Sequence, residues 1–284
     1  MDGRLPDGSR VHAVIPPAAK KGIYLTIRKF SNDRLTIKEL VKGGSLSLEM
    51  AKFINLCCAM AKNTIVSGGT SSGKTTLLNV VSSLIPQDQR IVVIEDSSEL
   101  TFAQDHVLPL ETQAKDRMGE GQVSMRDLIK ASLRMRPDRI VIGEVRGPEA
   151  LDLLQAMNTG HAGSMATLHA NTPKGALERL ETLALMSDVD LPLRALRSQI
   201  ASALDIIIQA QRLRDGSRKI THISEVVGMT EDGHYQVNDL FVYHVESVEA
   251  DGTMIGRHKA TGNHPTFLQE AIAQGFTVDE TLFA

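Results

Sequence analysis

Between residues 64 and 204 the chain alternates short, mostly apolar runs with longer stretches in which apolar residues return every three or four positions. The short runs are Ile65-Val66, Ile91-Val92-Val93-Ile94, Ile140-Val141-Ile142 and Ser164 to Leu168. Their length and β-branched content predict strands buried on both faces. Each run ends in residues able to do chemistry: a glycine-rich turn after Val66, then Glu95-Asp96, Gly143-Glu144 and His169. The longer stretches predict helices. One carries Leu77, Leu78, Val80 and Val81; another carries Met125, Leu128, Ile129, Ser132 and Leu133 behind the capping-box spacing of Ser124 and Asp127, with Pro137 as its stop. Pro148 opens the next and Asn158-Thr159-Gly160 closes it; Asn171-Thr172-Pro173 caps one bearing Ala176, Leu177, Leu180 and Leu183; Leu196 and Ile200 mark a last one after Pro192. Strand and helix in alternation predict an α/β fold with a mostly parallel central sheet covered on both faces. In such a sheet ligands bind at the C-terminal edge of the strands.

The flanks read differently. Ser47 is placed to cap a helix through Leu48, Phe53, Ile54, Cys57, Cys58 and Ala61, apolar nearly all round and so buried. Before it, residues 1–43 show a turn at Pro6-Asp7-Gly8-Ser9 and strand-like runs at Val11 to Ile15 and Ile23 to Ile27. That is too little to bury a core, so residues 1–43 are expected to be a partial N-terminal β-rich domain plus linker, and residues 44–284 the main domain. After Val107 to Leu110, a further short strand, Ala114 to Gln122 is expected to be a loop. Beyond Asp205, the runs Ile206 to Leu213, Lys219 to Val227 and Tyr235 to Val245 are separated by Asp215-Gly216 and Asp232-Gly233, which predicts a C-terminal antiparallel β meander. Residues 251–263 are glycine-rich and polar and read as a loop, and Pro265 to Gln274 as a terminal helix.

Composition narrows the class without changing this picture. A length of 284 residues and 42% hydrophobic content suffice for a full core, and a formal net charge of -3 gives no global attraction for nucleic acid or an anionic membrane. Cys57 and Cys58 are adjacent in an apolar run, which indicates core packing in a reducing compartment and neither a disulfide framework nor a metal site. No apolar run approaches a membrane span and the start at Met1-Asp2-Gly3-Arg4 lacks signal-peptide character. The expectation is a cytoplasmic protein whose membrane contact is made through partners.

The most specific signal is Gly68-Gly69-Thr70-Ser71-Ser72-Gly73-Lys74-Thr75-Thr76 between a strand and a helix, the P-loop pattern in its expected context. Backbone N–H groups released by the glycines can curl around phosphate oxygens, the helix N-terminus adds positive potential, Lys74 can reach the β- and γ-phosphates, and Thr75 can hold Mg²⁺. Hydrolysis also needs a positioned water. Glu144, at its strand end, is the first candidate to orient or deprotonate it; Glu95 is the second, acting through Mg²⁺ or its water shell. Positive charge on the phosphoryl group is assigned to Arg28, Arg134, Arg136 and Arg146, by their positions around the Glu144 strand and at the end of an N-terminal strand. His161 and His169 flank a short strand and are candidates for contact with the γ-phosphate.

Taken in order, several blocks resemble the secretion ATPases of the type II and type IV systems, especially the CpaF-like branch that drives tight-adherence pilus assembly. They are the loop from Gly68 to Thr76, the acidic box Ile94-Glu-Asp-Ser-Ser-Glu-Leu100, the segment Leu133-Arg-Met-Arg-Pro-Asp-Arg-Ile-Val-Ile-Gly-Glu-Val-Arg-Gly147, and the histidine box from Thr159 to Asn171. Leu5-Pro-Asp-Gly-Ser-Arg10 and Thr26-Ile-Arg-Lys29 resemble the end of the family's N-terminal domain. The resemblance implies a RecA-like P-loop NTPase fold, a homohexamer, ATP and Mg²⁺ held between two domains, Glu144 as an unusual Walker B acid, and an inner-membrane pilus or secretion platform as partner, with no direct nucleic acid contact. After Thr112 the chain continues Gln113-Ala114-Lys115-Asp116-Arg117 where the family carries an arginine-proline segment, and Arg117 is the candidate to replace the basic contact expected there. Two other functions remain open at this stage: a DNA-translocating motor on the same fold, against which 4% aromatic content weighs, and a nucleotide-dependent scaffold with negligible turnover.

Overall fold

The computed structural model describes residues 2–29, 35–116 and 118–284. The chain separates into two compact units, residues 1–34 and 35–284. The smaller is a three-stranded antiparallel sheet of β1 (Asp2–Arg4), β2 (Arg10–Val14) and β3 (Tyr24–Arg28) in that order. Val11 pairs with Ile27 and Ala13 with Leu25, so alternation gathers these apolar residues on one face.

The larger unit opens earlier than the composition indicated. Helix α1 (Ile37–Lys42) occupies part of the expected linker, and Thr36 and Glu39 form a complete capping box at its start. Helix α2 (Leu48–Ala59) is next, its Ser47 hydroxyl accepting from the Met50 N–H as the sequence predicts. Then come β4 (Thr64–Gly68), α3 (Lys74–Ser82), β5 (Ile91–Glu95), β6 (Val107–Glu111), α4 (Met125–Ser132), β7 (Arg139–Ile142), α5 (Glu149–Asn158), β8 (Met165–His169), α6 (Pro173–Ala184) and α7 (Leu193–Ala203). The last elements are β9 (Ile206–Arg212), β10 (Arg218–Met229), β11 (Tyr235–Val248), β12 (Met254–Ala260), α8 (Leu268–Ala273) and a 3₁₀ turn at Glu280–Phe283.

All strands from β4 onward belong to one nine-stranded sheet, ordered β12-β11-β10-β9-β4-β8-β7-β5-β6. Pairing is parallel from β9 to β6 and antiparallel from β9 to β12. The meander is therefore a continuation of the central sheet, with β9 parallel to β4. Strand alternation divides the core in two. Val66, Ile91, Val93, Val141, Ile206 and Ile208 face α2, α3 and a cluster of Phe53, Phe241, Phe267 and Phe283. Ile65, Val92, Ile94, Ile140, Ile142, Leu168 and Ile207 face α4 to α7. Burial on both faces is the physical reason the parallel strands read as continuous apolar runs.

Two expectations fail locally. Residues 251–263 contain a strand, β12, which pairs with β11 at the sheet edge. Gly256 is there because a Cβ would stand 2.3 Å from the His244 carbonyl and 2.8 Å from the Tyr243 hydroxyl, so this glycine marks close packing and not a loop. The helix behind Ser124 ends at Ser132 and not at Pro137; Arg136 takes a left-handed φ of 51° just before the proline. Cys57 and Cys58 are buried and unbonded, and burial pushes the Cys58 thiol up to about 12.

Candidate functional site

The C-terminal ends of β4, β8, β7 and β5 lie side by side and deliver the loop after Gly68, then His169, Glu144 and Glu95. Gly68 is required by its surroundings: a Cβ there would sit 2.4 Å from the Ala210 carbonyl and 2.4 Å from the Ser72 hydroxyl. Ser71 and Gly73 take left-handed conformations, with φ of 60° and 91°, which turn the loop into the start of α3. Such a turn produces an anion-binding nest of N–H groups at a helix N-terminus. Beneath it Ser67 donates to Gln209 Oε1, and Gln209 Nε2 donates to the Ala170 carbonyl at 3.1 Å, so one buried amide joins β4, β9 and the end of β8. Asn171 Oδ1 lies 3.7 Å from the point where a Cβ on Gly69 would be.

Lys74 donates to the Gly69 carbonyl at 3.0 Å and lies 3.4 Å from both ring nitrogens of His169. His169 Nε2 is 3.0 Å from Glu144 Oε1, and Arg146 Nη2 donates to Glu144 Oε2 at 2.5 Å. Arg146 also approaches Asp96 at 3.9 Å. The His169 contact is off the line of a hydrogen bond, and Glu144 Oε1 is buried without a donor among the described residues. Burial lowers the His169 pKa, the Lys74 ammonium lowers it further, and Glu144 opposes both; the imidazole is neutral at pH 7. Burial likewise lowers the Lys74 pKa, with Glu144 opposing. The order of strands explains the contact: β8 runs between β4 and β7, so its last residue stands between Lys74 and Glu144.

The loop bearing Glu144 is held from two sides. The Val145 N–H donates to the Thr167 carbonyl at 3.0 Å, and the Thr167 hydroxyl to the Gly143 carbonyl at 2.6 Å. Glu149, buried in the first turn of α5, accepts from the N–H groups of Arg146 at 2.7 Å and Gly147 at 2.8 Å. Glu95 lies beside Gly143, where a Cβ would meet its side chain at 3.0 Å, and its Oε1 accepts from the N–H groups of Glu99 at 2.9 Å and Leu100 at 3.1 Å. Burial pushes the Glu95 carboxyl up to about 7 against the pull of those two hydrogen bonds.

Other candidates are placed elsewhere. Arg134 and Arg136 are exposed in the turn before β7 and His161 precedes β8, so all three are at the opposite, N-terminal edge of the sheet. Within one chain, strands of four or five residues separate them from the loop, a span of about 13–16 Å at about 3.3 Å per residue. Arg28 ends β3 in the smaller unit, in register with Arg10. Arg117 lies outside the described residues. Sequence reasoning passed over Gln209, Glu149 and Arg218. Gln209 had a signal, a lone amide within a buried apolar run, and Glu149 comes directly after the helix-opening Pro148.

A cavity of about 310 Å³ adjoins the loop, lined by Ser72, Gly73, Thr76 and Leu77 together with Leu40 and Arg218. The oxygens near the loop, the Thr75 hydroxyl and the carboxylates of Glu95 and Glu144, are hard donors suited to Mg²⁺. No group of three or more His, Cys, Asp and Glu able to hold a metal exists among the described residues. No helix among the described residues is long and apolar enough to cross a membrane.

Comparison with known proteins agrees with this geometry. A "Putative conjugal transfer protein" of Mycobacterium tuberculosis is 38% identical over 215 residues, covering 76% of this chain and 60% of that protein. A probable conjugal transfer protein, TrbB, of Sinorhizobium fredii is 36% identical over 242 residues, covering 84% of this chain and 70% of that protein. The crystal structure of the VirB11 ATPase from the Brucella suis type IV secretion system, in complex with sulphate, superposes with a TM-score of 0.56 at 29% identity, over 78% of this chain and 72% of that one. The chain thus spans 60% of the length of the mycobacterial relative. The family model described as "Type II/IV secretion system protein" matches residues 1–255, and the chain belongs to that family.

Proposed function

We propose that the chain binds ATP with Mg²⁺ at the loop Gly68 to Thr76, hydrolyses it, and uses the turnover to drive a secretion or pilus machine. The observation that carries this reading is the buried, donorless Oε1 of Glu144, held at the sheet edge that also carries the phosphate loop. Loop N–H groups and the positive end of α3 bind the phosphates, and Lys74 exchanges the Gly69 carbonyl for phosphate oxygens. Thr75, with Glu95 or Glu144, would hold Mg²⁺, which when bound would supply charge neutralisation on the phosphates. Glu144 Oε1 accepts a proton as a water oxygen forms its bond to the γ-phosphorus. The bond from that phosphorus to the bridging oxygen breaks, ADP keeps the electron pair, and the proton passes from Glu144 to the departing phosphate. Arg146 holds Oε2 and so aims Oε1; neutral His169 stands beside it as a contact for the γ-phosphate. The adjoining cavity receives the nucleoside.

Arg134 and Arg136 would complete the site from a neighbouring copy in a homohexamer. The partner is an inner-membrane pilus or secretion platform, with the motor on its cytoplasmic side. The relatives' conjugal transfer names favour a second reading, a motor that acts on DNA; stimulation of ATPase by DNA with steep salt dependence would identify it. The test of the main reading is Glu144→Gln, expected to keep ADP affinity within a few-fold while turnover falls about 10²- to 10⁴-fold. Lys74→Ala is expected to weaken ADP binding itself. Wild-type turnover in Glu144→Gln would sink the assignment.

A further inference from the structure

The first residues of β10 hold two loops at once. Arg218 donates from Nε to the carbonyl of Ser71, in the phosphate loop, at 3.1 Å. Its Cδ lies 3.2 Å from where a Cβ on Gly73 would stand, so the aliphatic stem rests against that glycine. Lys219 donates from Nζ to the Gly44 carbonyl at 2.7 Å, and the Ile220 N–H donates to the Ser45 carbonyl at 2.8 Å. Gly44, at φ 65°, sits in the turn that joins α1 to α2. Three consecutive residues therefore connect the phosphate loop to the turn after α1. Ser45, Ser72, Gly73, Arg218, Lys219 and Ile220 line the same 310 Å³ cavity.

Ser71 explains why an arginine stands there. It is a non-glycine residue at φ 60°, a conformation that L-residues avoid, and its carbonyl belongs to the same peptide as the Ser72 N–H. In an anion-binding nest the N–H groups turn inward and the carbonyls outward. A guanidinium on the outward carbonyl makes a charge-assisted bond, holds Ser71 in its strained conformation and fixes the peptide before an anion arrives. A fixed positive charge with a planar fork suits this better than a lysine ammonium.

We infer that Arg218 is a positioning residue that preorganises the phosphate loop, and that Arg218-Lys219-Ile220 is a strap through which filling of the loop is felt at Gly43 to Ser45 and in α1. The inference rests on the proposed nucleotide reading of that loop. Arg218→Gln is expected to raise the Kd for ADP about three- to tenfold, the range for one ordinary hydrogen bond, since solvent screens the charge at this exposed site. It is also expected to abolish, at saturating ADP, the slowing of amide hydrogen exchange that ADP produces across residues 37–46 of the wild-type chain. Arg218→Lys, which keeps the charge but not the planar fork, recovers part of the affinity. Lys219→Gln, which cuts the tie to Gly44, reduces the protection of 37–46 although Arg218 still holds Ser71.

Affinity and protection unchanged in Arg218→Gln would overturn the strap while leaving the nucleotide reading intact. Absence of protection in the wild type itself, with ADP bound, would do the same. A wild-type chain that binds no ADP, indistinguishable from Lys74→Ala, is the separate failure of the nucleotide reading, and the strap falls with it.

Discussion

The two edges of the parallel sheet carry similar residue types in opposite circumstances. At the C-terminal edge Lys74, His169, Glu144 and Arg146 form a chain of contacts between 2.5 and 3.4 Å, and within it Glu144 Oε1 is an acceptor that the described residues leave without a donor. At the N-terminal edge Arg139 is buried and makes hydrogen bonds to neutral acceptors: Gln89 Oε1 at 2.5 Å, the Cys58 carbonyl at 3.0 Å and the Ala162 carbonyl at 3.4 Å. One edge gathers charged groups around the glycine-rich loop and the other uses charge to tie α2, β7 and the approach to β8 together. Proximity in sequence to a catalytic strand does not separate these roles. Strand polarity does, because the residues before a strand and those after it stand at opposite edges.

The comparison breaks first at Arg139. Gly163 yields to it: a Cβ there would stand 1.2 Å from its Nη1, so the guanidinium fills space the backbone leaves open. Arg139→Ala strips the buried Cys58 carbonyl and the less buried Gln89 and Ala162 oxygens of their donor and opens a cavity, at a cost of about 3 kcal/mol. The expected drop in Tm is about 6–12 °C, with ADP affinity of the folded fraction unchanged. A loss of affinity without a loss of stability would place Arg139 with the catalytic edge.

A smaller effect separates structure from chemistry at the catalytic edge itself. Glu95 titrates near 7, above an ordinary value of 4.5, chiefly through burial. The native state holds this proton more tightly, so between pH 4.5 and 7 it binds more protons than the unfolded chain, and stability falls as pH rises through that window. Above it the penalty is constant. Glu95→Gln keeps an acceptor for the Glu99 and Leu100 N–H groups and removes the charge. It should stabilise the protein by about 2 kcal/mol at pH 8, after allowance for partial solvent screening, and by little at pH 4.5. Thermal melts at both pH values check this. A pH-independent difference would mean that the carboxylate is solvated at this edge after all.

How much of this was legible in the sequence depends on the same polarity. The parallel strands were readable because both faces are buried, and the phosphate loop because its glycines and lysine keep fixed spacing. Glu95, Glu144 and His169 end or follow their strands and therefore stand at one edge. Arg134, Arg136 and His161 come before their strands and therefore stand at the other. Helix α1 carried its signal in Thr36 and Glu39, masked by the strand-like character of the residues before it. Strand order carried no local signal at all. That β8 would enter between β4 and β7 and set His169 beside Lys74, or that β10 would bring Arg218 to Ser71, depends on pairings across most of the chain.

The smallest expected effect tests the polarity rule most directly. Arg134 and Arg136 are exposed, and replacing either with Ala should change stability by less than about 0.5 kcal/mol, because at 136 alanine meets the same left-handed φ that Arg136 already bears. In dilute single chains, Arg134→Ala and Arg136→Ala should bind ADP within about twofold of wild type, because a strand's length keeps both guanidinium groups from the phosphate loop. In an assembled oligomer the same substitutions become informative. If the N-terminal edge of one copy faces the catalytic edge of the next, turnover falls while ADP binding by the separated chains does not. Weakened binding in the single chains would contradict the sheet polarity on which the assignment of both edges depends.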